Sequence, residues 1–191
     1  MHTTQEITCY ALSSNGTYWR DLFDSREVFP TKNYTETGGM RDAYICRTQT
    51  GNFLLAGTDM TSALGWTSNH RMTFMHSNDL VHWDKYISID LESEENLAAL
   101  GLTNPADMTA AWAPQIIFDP VTGKYMAYYS VGFPDRHRIY YSLLNEDLTE
   151  VSKPMVLFDP GYDVIDADIV WNEAEGQYVL SLIHISEPTR P

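Results

Sequence analysis

The chain has little positive charge. Of its 191 residues, 12 are Lys or Arg and 26 are Asp or Glu, which gives a formal net charge of −14. Because Lys and Arg do not cluster anywhere, the sequence lacks the basic surface that holds phosphate backbones. We therefore expect neither nucleic acid nor an anionic membrane as a partner.

Cysteine and long apolar runs are also scarce. Cys9 and Cys46 are too few for a disulfide scaffold and lack the spacing of a metal site. Apolar stretches such as residues 125–131 fall well short of the roughly 18 residues that a membrane span needs. The first six residues do not resemble a signal peptide, which favours a cytoplasmic location unless the true N-terminus lies upstream of Met1.

Several catalytic signatures are missing as well. The sequence has no Gly-x-Ser-x-Gly elbow, no phosphate-binding loop and no His-Glu-x-x-His pair. Its six histidines do not cluster at the spacing of metal ligands. We expect no metal and no cofactor.

Aromatic residues, by contrast, are abundant. They make up 13% of the chain, with 12 Tyr, 7 Phe and 5 Trp, whereas charged residues make up only 20%. Aromatic and β-branched side chains suit a pleated, half-buried surface, so the composition favours β-sheet. The length fits one domain of ordinary size or two small ones.

Three strand–turn–strand patterns recur along the chain. They begin at Asp42, Pro114 and Asp166, and each reaches a turn glycine nine or ten positions later, with an aromatic residue two positions beyond it. Related second units lie at residues 9–19, 72–83 and 138–151. Four strands per unit, at a period of about 50 to 70 residues, predict an all-β fold of the β-propeller type. Residues 92–102 carry a helical pattern and read as a short insert between strands.

Asp42 and Asp166 stand at the same register of two predicted strands. The innermost strands of a propeller line its central funnel, so we expect these two carboxylates to converge. An acid at the end of an otherwise apolar strand is costly to bury unless it pairs with another group, so such a residue has either a partner or a functional role. Each could cap a turn or pair with a basic neighbour such as Arg41. Alternatively, both could belong to a paired-carboxylate glycosidase site.

Five segments resemble glycoside hydrolase family 43. They are residues 38–44 (GGMRDAY), 54–60 (LLAGTDM), 77–83 (SNDLVHW), 111–115 (AWAPQ) and 164–168 (VIDAD). The resemblance covers roughly residues 9–180. It implies a five-bladed propeller enzyme that cleaves arabinosyl, xylosyl or galactofuranosyl linkages in plant or microbial polysaccharides with inversion. Because the repeats account for about two and a half blades, the resemblance also implies that the chain is an N-terminal fragment of such an enzyme.

The resemblance also implies roles for individual residues. It assigns Asp42 as the general base and Asp166 as the carboxylate that orients the general acid and modulates its pKa. Ala43 departs from the proline usual in the family. The general acid is a glutamate in a Glu-Gly-type motif, and nothing after Asp166 matches it convincingly, because Glu175 is expected to lie in an exposed hairpin turn. We therefore expect this chain alone to be inactive.

Three neighbours of the carboxylates need separate interpretation. Trp112 could stack on a sugar ring or pack in the core. Asp168 alternates with Asp166, so both would point to the same face of a strand and Asp168 could support the site. Arg41 would point away from Asp42 in an extended strand, which favours a structural role.

Two other functions stay open. The first is a carbohydrate-binding propeller that keeps the fold and a stacking tryptophan but does not hydrolyse its ligand. The second is a related fructan hydrolase with a retaining mechanism, although the motif of its nucleophile is not found here. A glutamate in the next blade of the full-length protein would favour the glycosidase. The oligomeric state is left open.

The end of the chain has a different character. Residues 181–191, SLIHISEPTRP, resemble translated sequencing-adapter read-through. We therefore predict a partial propeller domain at residues 1–182 and a non-native tail at residues 183–191.

Overall fold

A computed structural model describes residues 6–67 and 69–184, which form mostly β-strands. In chain order the strands are β1 (Ala11–Leu12), β2 (Arg20–Asp21), β3 (Met40–Arg47), β4 (Phe53–Asp59), β5 (Arg71–Ser77), β6 (Trp83–Asp90), β7 (Ala110–Asp119), β8 (Lys124–Gly132), β9 (His137–Leu144), β10 (Met155–Phe158), β11 (Val164–Asn172) and β12 (Gln177–His184). Single 3-10 turns lie at Phe23–Ser25, Thr31–Asn33, Ser62–Leu64 and Pro105–Asp107. The α-helix α1 spans Glu94–Leu100. No helix within the described residues is long and apolar enough to cross a membrane.

The strands form successive antiparallel blades. Strands β3 to β6 make the first four-stranded sheet in chain order, and β7 to β10 make the second. Strands β11 and β12 pair as the start of a third blade, while β1 and β2 form a separate short pair. The expectation of an all-β partial propeller is confirmed.

The predicted repeats have matching turns. Asp79 and Asn15 each accept, through Oδ1, the backbone N–H groups two and three residues ahead, at 2.7 to 3.0 Å. The next residue in each turn is left-handed, with φ 65° at Leu80 and 76° at Gly16. Asx turns of this kind explain why Asn and Asp recur at this point of the repeat.

The main core lies between the first two blades. Side chains from both sheets form one buried apolar cluster, including Leu54, Phe74, Ile116, Tyr129 and Leu144. Burying a side chain of this size contributes about 1.5–3 kcal/mol. Helix α1 adds Leu100 to the cluster. The helix begins after Ser93, whose side chain accepts the N–H of Asn96, and it ends at left-handed Gly101, which confirms the short helical insert.

The first strand of each blade contains a bulge at the same place. The register shifts lie between Arg41 and Tyr44, between Trp112 and Gln115, and between Ile165 and Asp168. Within these bulges Asp42, Ala113 and Asp166 are left-handed, with φ of 53°, 49° and 52°. The structure therefore aligns Ala113, not Pro114, with the two aspartates. In the first blade the left-handed residue lies nine positions before the turn glycine, whereas in the other two blades it lies ten positions before it. Counting nine positions back from Gly123 therefore selected Pro114 and not Ala113.

Candidate active site

A small pocket forms where the first strands of the three blades converge. Its volume is about 160 Å³. The residues that line it come from all three blades and one loop: Arg41, Asp42, Met60, Trp66, Trp112, Ala113, Ile165 and Asp166. The structure thus brings together both predicted carboxylates and the predicted tryptophan, and it adds Trp66, Ala113 and Arg41.

Asp42 is held by a buried threonine. Oγ1 of Thr58 lies 3.0 Å from Oδ2 of Asp42 and donates its proton to it. The same oxygen accepts the backbone N–H of Ala113 at 3.0 Å. An ionised carboxylate can only accept hydrogen bonds, so the Thr58 hydroxyl proton is directed at Asp42, while a lone pair of Oγ1 remains for the N–H of Ala113. Thr58 therefore fixes Asp42 and couples it to the second blade.

The same arrangement recurs one blade later. Oγ of Ser130 accepts the backbone N–H of Asp166 at 3.2 Å. Ser130 stands opposite Trp112, as Thr58 stands opposite Arg41 in the preceding blade. A hydroxyl on the second strand of one blade thus anchors the bulge of the next. The roles of Thr58 and Ser130 were not predicted from the sequence, because a single Ser or Thr in a strand carries no distinctive signal.

Asp166 experiences both burial and a like charge. Partial burial raises its pKa above the ordinary value, and the nearby Asp42 carboxylate raises it further, while His137 acts in the opposite direction. The two carboxylates are therefore close enough to influence each other. When two carboxylates lie this close, the charge on one makes ionisation of the other more costly.

Trp112 packs against a histidine. The ring centroids of Trp112 and His137 lie 5.0 Å apart with an interplanar angle of 24°. Nδ1 of His137 lies 2.8 Å from Oδ1 of Asp163, which orients the imidazole. The half-buried indole thus lines the pocket and packs on His137 as well. Its stacking on a sugar stays a prediction.

Arg41 and Trp66 form one wall of the pocket. The Arg41 guanidinium lies 4.8 Å from the centroid of the Trp66 ring, a cation–π contact. Nη1 of Arg41 pairs with Oε1 of Glu6 at 3.2 Å, and Oε2 of Glu6 accepts the N–H of Ser62 at 2.6 Å. These contacts tie the loop that carries Trp66 to the first blade. Trp66 is 60% exposed, so its ring is accessible to a ligand.

The expectation that Arg41 points away from Asp42 is corrected. It assumed an unbroken extended strand with alternating faces. The bulge and the left-handed Asp42 interrupt that alternation, so Arg41 lines the same pocket. Trp66 was missed because its loop has no strand pattern. The sequence does contain one signal for Trp66, namely an aromatic residue in a polar loop that follows a strand.

Asp168 and Glu175 lie elsewhere. The bulge also interrupts the alternation between Asp166 and Asp168, and Asp168 does not line the pocket. It lies near the phenols of Tyr44 and Tyr128, whose pKa values are raised mainly by burial and further by this carboxylate. Glu175 is exposed in the turn between β11 and β12 and accepts a hydrogen bond from Gln177 at 2.6 Å.

Asp42 and Asp166 are the acidic residues of the pocket. No glutamate lines it in the part of the chain that the structure describes. Across residues 6–67 and 69–184, no group of three or more His, Cys, Asp or Glu side chains is arranged to hold a metal ion. The charged and aromatic side chains that line the pocket are Arg41, Asp42, Trp66, Trp112 and Asp166.

Solved structures share the fold. A thermostable family-43 glycoside hydrolase matches with a TM-score of 0.56 and 23% identity over 76% of this chain and 42% of its own. A fructofuranosidase from Schwanniomyces occidentalis, complexed with fructose, matches with a TM-score of 0.56 and 19% identity over 78% of this chain and 30% of its own. An alpha-L-arabinofuranosidase from Lactobacillus brevis matches with a TM-score of 0.51 and 12% identity over 85% of this chain and 50% of its own. The chain spans no more than half the length of these structures.

The sequence itself also matches a known family. No curated protein matches the chain. The model of the glycosyl hydrolase family 43-related proteins, described as "Probable glycosyl hydrolase domain", matches residues 1–181. That match covers nearly the whole chain and includes every residue that lines the pocket. The chain therefore belongs to the glycosyl hydrolase family 43-related proteins.

Proposed function

We propose that the complete protein is an inverting glycosidase that cleaves arabinosyl, xylosyl or galactofuranosyl linkages in oligo- or polysaccharides. The observation that carries this proposal is the pairing of Asp42 and Asp166. They occupy equivalent left-handed bulges of two blades and share one pocket with Trp66 and Trp112. Membership of a glycosyl hydrolase family supports the same reaction class.

In this proposal Asp42 is the general base. It takes a proton from a water molecule, which then attacks the anomeric carbon from the face opposite the leaving group. An inverting enzyme needs about 6.5–9.5 Å between base and acid to leave room for that water. The hydrogen bond from Thr58 holds the Asp42 carboxylate in one orientation, which favours a single productive position for the water.

Asp166 and the aromatic rings have supporting roles. Asp166 modulates the pKa of the general acid by like-charge repulsion and orients it. The acid itself is a glutamate from a later blade, as the family resemblance implies. Trp66 and Trp112 offer flat apolar faces on which a sugar ring can stack. Oligo- or polysaccharide is therefore the proposed substrate class.

Replacing Asp42 tests the proposal. In the complete protein, Asp42→Asn should lower kcat on aryl arabinofuranosides or xylosides by about 10²–10⁴-fold, because the variant cannot accept the proton. Asn also tolerates left-handed backbone, so we expect the variant to fold and to melt no lower than the wild type. Asp168→Asn is the matched control, since it removes a carboxylate outside the pocket and should retain activity. A folded Asp42→Asn variant with full activity would remove Asp42 from the mechanism.

The stereochemistry of the product separates the enzyme classes. NMR of the first-formed sugar should show the anomer opposite to that of the substrate. Retention of configuration would instead support the fructan-hydrolase alternative. Sugar binding without turnover by the wild-type protein would support the carbohydrate-binding alternative.

A further inference from the structure

His137 joins the second blade to the start of the third. It is the first residue of β9, and its imidazole stacks on Trp112 of β7. Its Nδ1 lies 2.8 Å from Oδ1 of Asp163, and its backbone N–H donates to the same oxygen at 2.6 Å. Because an ionised carboxylate only accepts hydrogen bonds, Nδ1 carries a hydrogen and donates it. Asp163 stands directly before β11, the strand that carries Asp166.

The segment from Asp163 to Asp166 is attached to the second blade at three points. Asp163 accepts the two hydrogen bonds from His137. Val164 is fully buried in a cluster with side chains of that blade. The N–H of Asp166 donates to Oγ of Ser130 at 3.2 Å. His137 and Ser130 lie on the paired strands β9 and β8, so one hairpin supplies both of the polar attachments.

Two neighbours fix the orientation of the imidazole. The ring lies nearly parallel to the indole of Trp112, with 24° between the two planes. Its Nε2 lies beside Gly132, the residue of β8 that pairs with His137. A Cβ atom at position 132 would stand only 3.0 Å from Nε2, so the glycine makes room for the ring. The imidazole is therefore held with Nδ1 toward Asp163.

Packing alone does not explain a histidine at this position. Nε2 of His137 is buried and has no hydrogen-bond partner within residues 6–67 and 69–184. A buried polar atom without a partner lowers stability. A phenyl ring would fill similar space and stack on Trp112 without leaving a nitrogen unpaired. The feature that the histidine adds is the hydrogen bond from Nδ1 to Asp163.

We infer that His137 is a positioning residue that sets the place of Asp166 in the pocket through its hydrogen bond to Asp163. The inference rests on the proposed function and deepens it, because it names the group that holds the carboxylate next to the general acid. The place of Asp166 also sets its distance from Asp42, whose charge acts on it. A displacement of about 1 Å at such a site can lower the rate by about 10²-fold.

Two substitutions separate the hydrogen bond of His137 from its ring in the complete protein. His137→Phe keeps a flat ring against Trp112 but removes the donor, so kcat on aryl arabinofuranosides or xylosides should fall by about 10²-fold without a lower melting temperature.

His137→Asn has the opposite effect on the two features. It loses the ring and should melt lower, because a cavity is left. Its amide nitrogen stands as many bonds from the backbone as Nδ1 does, so it can still donate to Asp163. We therefore expect it to keep most of the wild-type kcat when assayed well below its melting temperature. A merely structural role would rank the two variants in the reverse order and would overturn the inference.

A double-mutant cycle shows whether the effect passes through Asp166. In an Asp166→Asn background, His137→Phe should cause no further loss of kcat, because the carboxylate that it positions is already gone. His76→Phe is the matched control, since Nδ1 of the buried His76 lies 3.0 Å from Oδ1 of Asp84, outside the pocket. It should leave kcat unchanged in both backgrounds. An equal loss from His137→Phe in the two backgrounds overturns the inference.

Hydrogen exchange provides a readout that does not depend on turnover. Followed by mass spectrometry, the amides of residues 164–168 should exchange faster in His137→Phe than in the wild type, and close to the wild-type rate in His137→Asn and His76→Phe. Unchanged exchange of this segment in His137→Phe also overturns the inference. An active Asp42→Asn variant would instead overturn the proposed function and leave the exchange result standing, so the two failures are distinguishable.

Discussion

At the residue scale, Asp166 is a carboxylate whose surroundings make its ionisation more costly than it is in water. Partial burial and then the charge of Asp42 raise its pKa in the folded protein. Because the folded state binds the proton more tightly than the unfolded state does, ionised Asp166 lowers stability. This cost is absent at pH values below its ordinary pKa and is complete once the pH exceeds the raised value.

Asp166→Asn should therefore stabilise the complete protein in a pH-dependent way. We expect a higher melting temperature than that of the wild type at pH 7 and no difference at about pH 3, where Asp166 is protonated. Thermal unfolding at the two pH values measures this. Asp168→Asn controls for the loss of one negative charge in a chain of net charge −14. A gain of the same size at both pH values would contradict the explanation.

At the element scale, Glu146 joins the first two blades. Its carboxylate accepts hydrogen bonds from Thr48 at 2.9 Å, from Asn52 at 3.1 Å and from Thr50, all in the turn between β3 and β4. It also accepts one from the Tyr125 hydroxyl of the second blade at 3.2 Å. Partial burial acts to raise the pKa of Glu146, but these hydrogen bonds outweigh it and lower the pKa.

Glu146→Gln should destabilise the contact between the blades by about 1–2 kcal/mol at pH 7, because an amide nitrogen replaces one acceptor oxygen. The stabilisation by the carboxylate is present above its ordinary pKa and is lost as the pH falls through the lowered value. Denaturant unfolding at pH 7 and at about pH 3 tests both statements. Glu150→Gln removes an exposed ion pair with Lys124 and should have little effect. An equal loss in the two variants would argue against the special role of Glu146.

Elements and their order were predictable from the sequence, whereas the bulges were not. Strand pairs have alternating apolar residues and turn glycines, so composition and spacing indicate them. The left-handed residues of the bulges are Asp42, Ala113 and Asp166, and none is the glycine that normally marks such a conformation. Their geometry depends on hydroxyl contacts from Thr58 and Ser130 in neighbouring blades. Such long-range contacts leave no local pattern, which is why Ala113 and Arg41 were misplaced.

At the scale of the whole molecule, the third blade differs from the first two. In those two blades a hydroxyl on the second strand, of Thr58 or Ser130, accepts a backbone N–H from the bulge of the next blade, and the third blade has no such hydroxyl at the equivalent position. Thr58 and Ser130 stand opposite the residue that precedes the left-handed position. In the third blade this position, opposite Ile165, is occupied by Ile183. The side chain of an isoleucine has no oxygen that could accept a backbone N–H. It falls within residues 183–191, the tail predicted to be non-native, most of which lies outside the described residues. The family match ends at residue 181.

The third blade also presents uncovered apolar surface. Strand β12 has β11 as its one partner within the described residues, and Val170, Trp171, Tyr178 and Val179 are 42% to 52% exposed. An apolar groove of about 500 Å³ lies between this blade and the second blade, all four strands of which contribute to its lining. Unpaired edges next to apolar surface promote association of chains.

We therefore expect the 191-residue chain on its own to self-associate through this blade. Val179→Lys should shift it toward monomer, because a lysine on an edge strand opposes the addition of another strand. Light scattering coupled to size-exclusion chromatography at micromolar concentrations measures the change. Val121→Lys is the control, since it adds the same charge at a residue that is 91% exposed in the turn between β7 and β8. A wild-type chain that is monomeric and melts cooperatively, or an equal effect of both lysines, would show that this blade does not drive association.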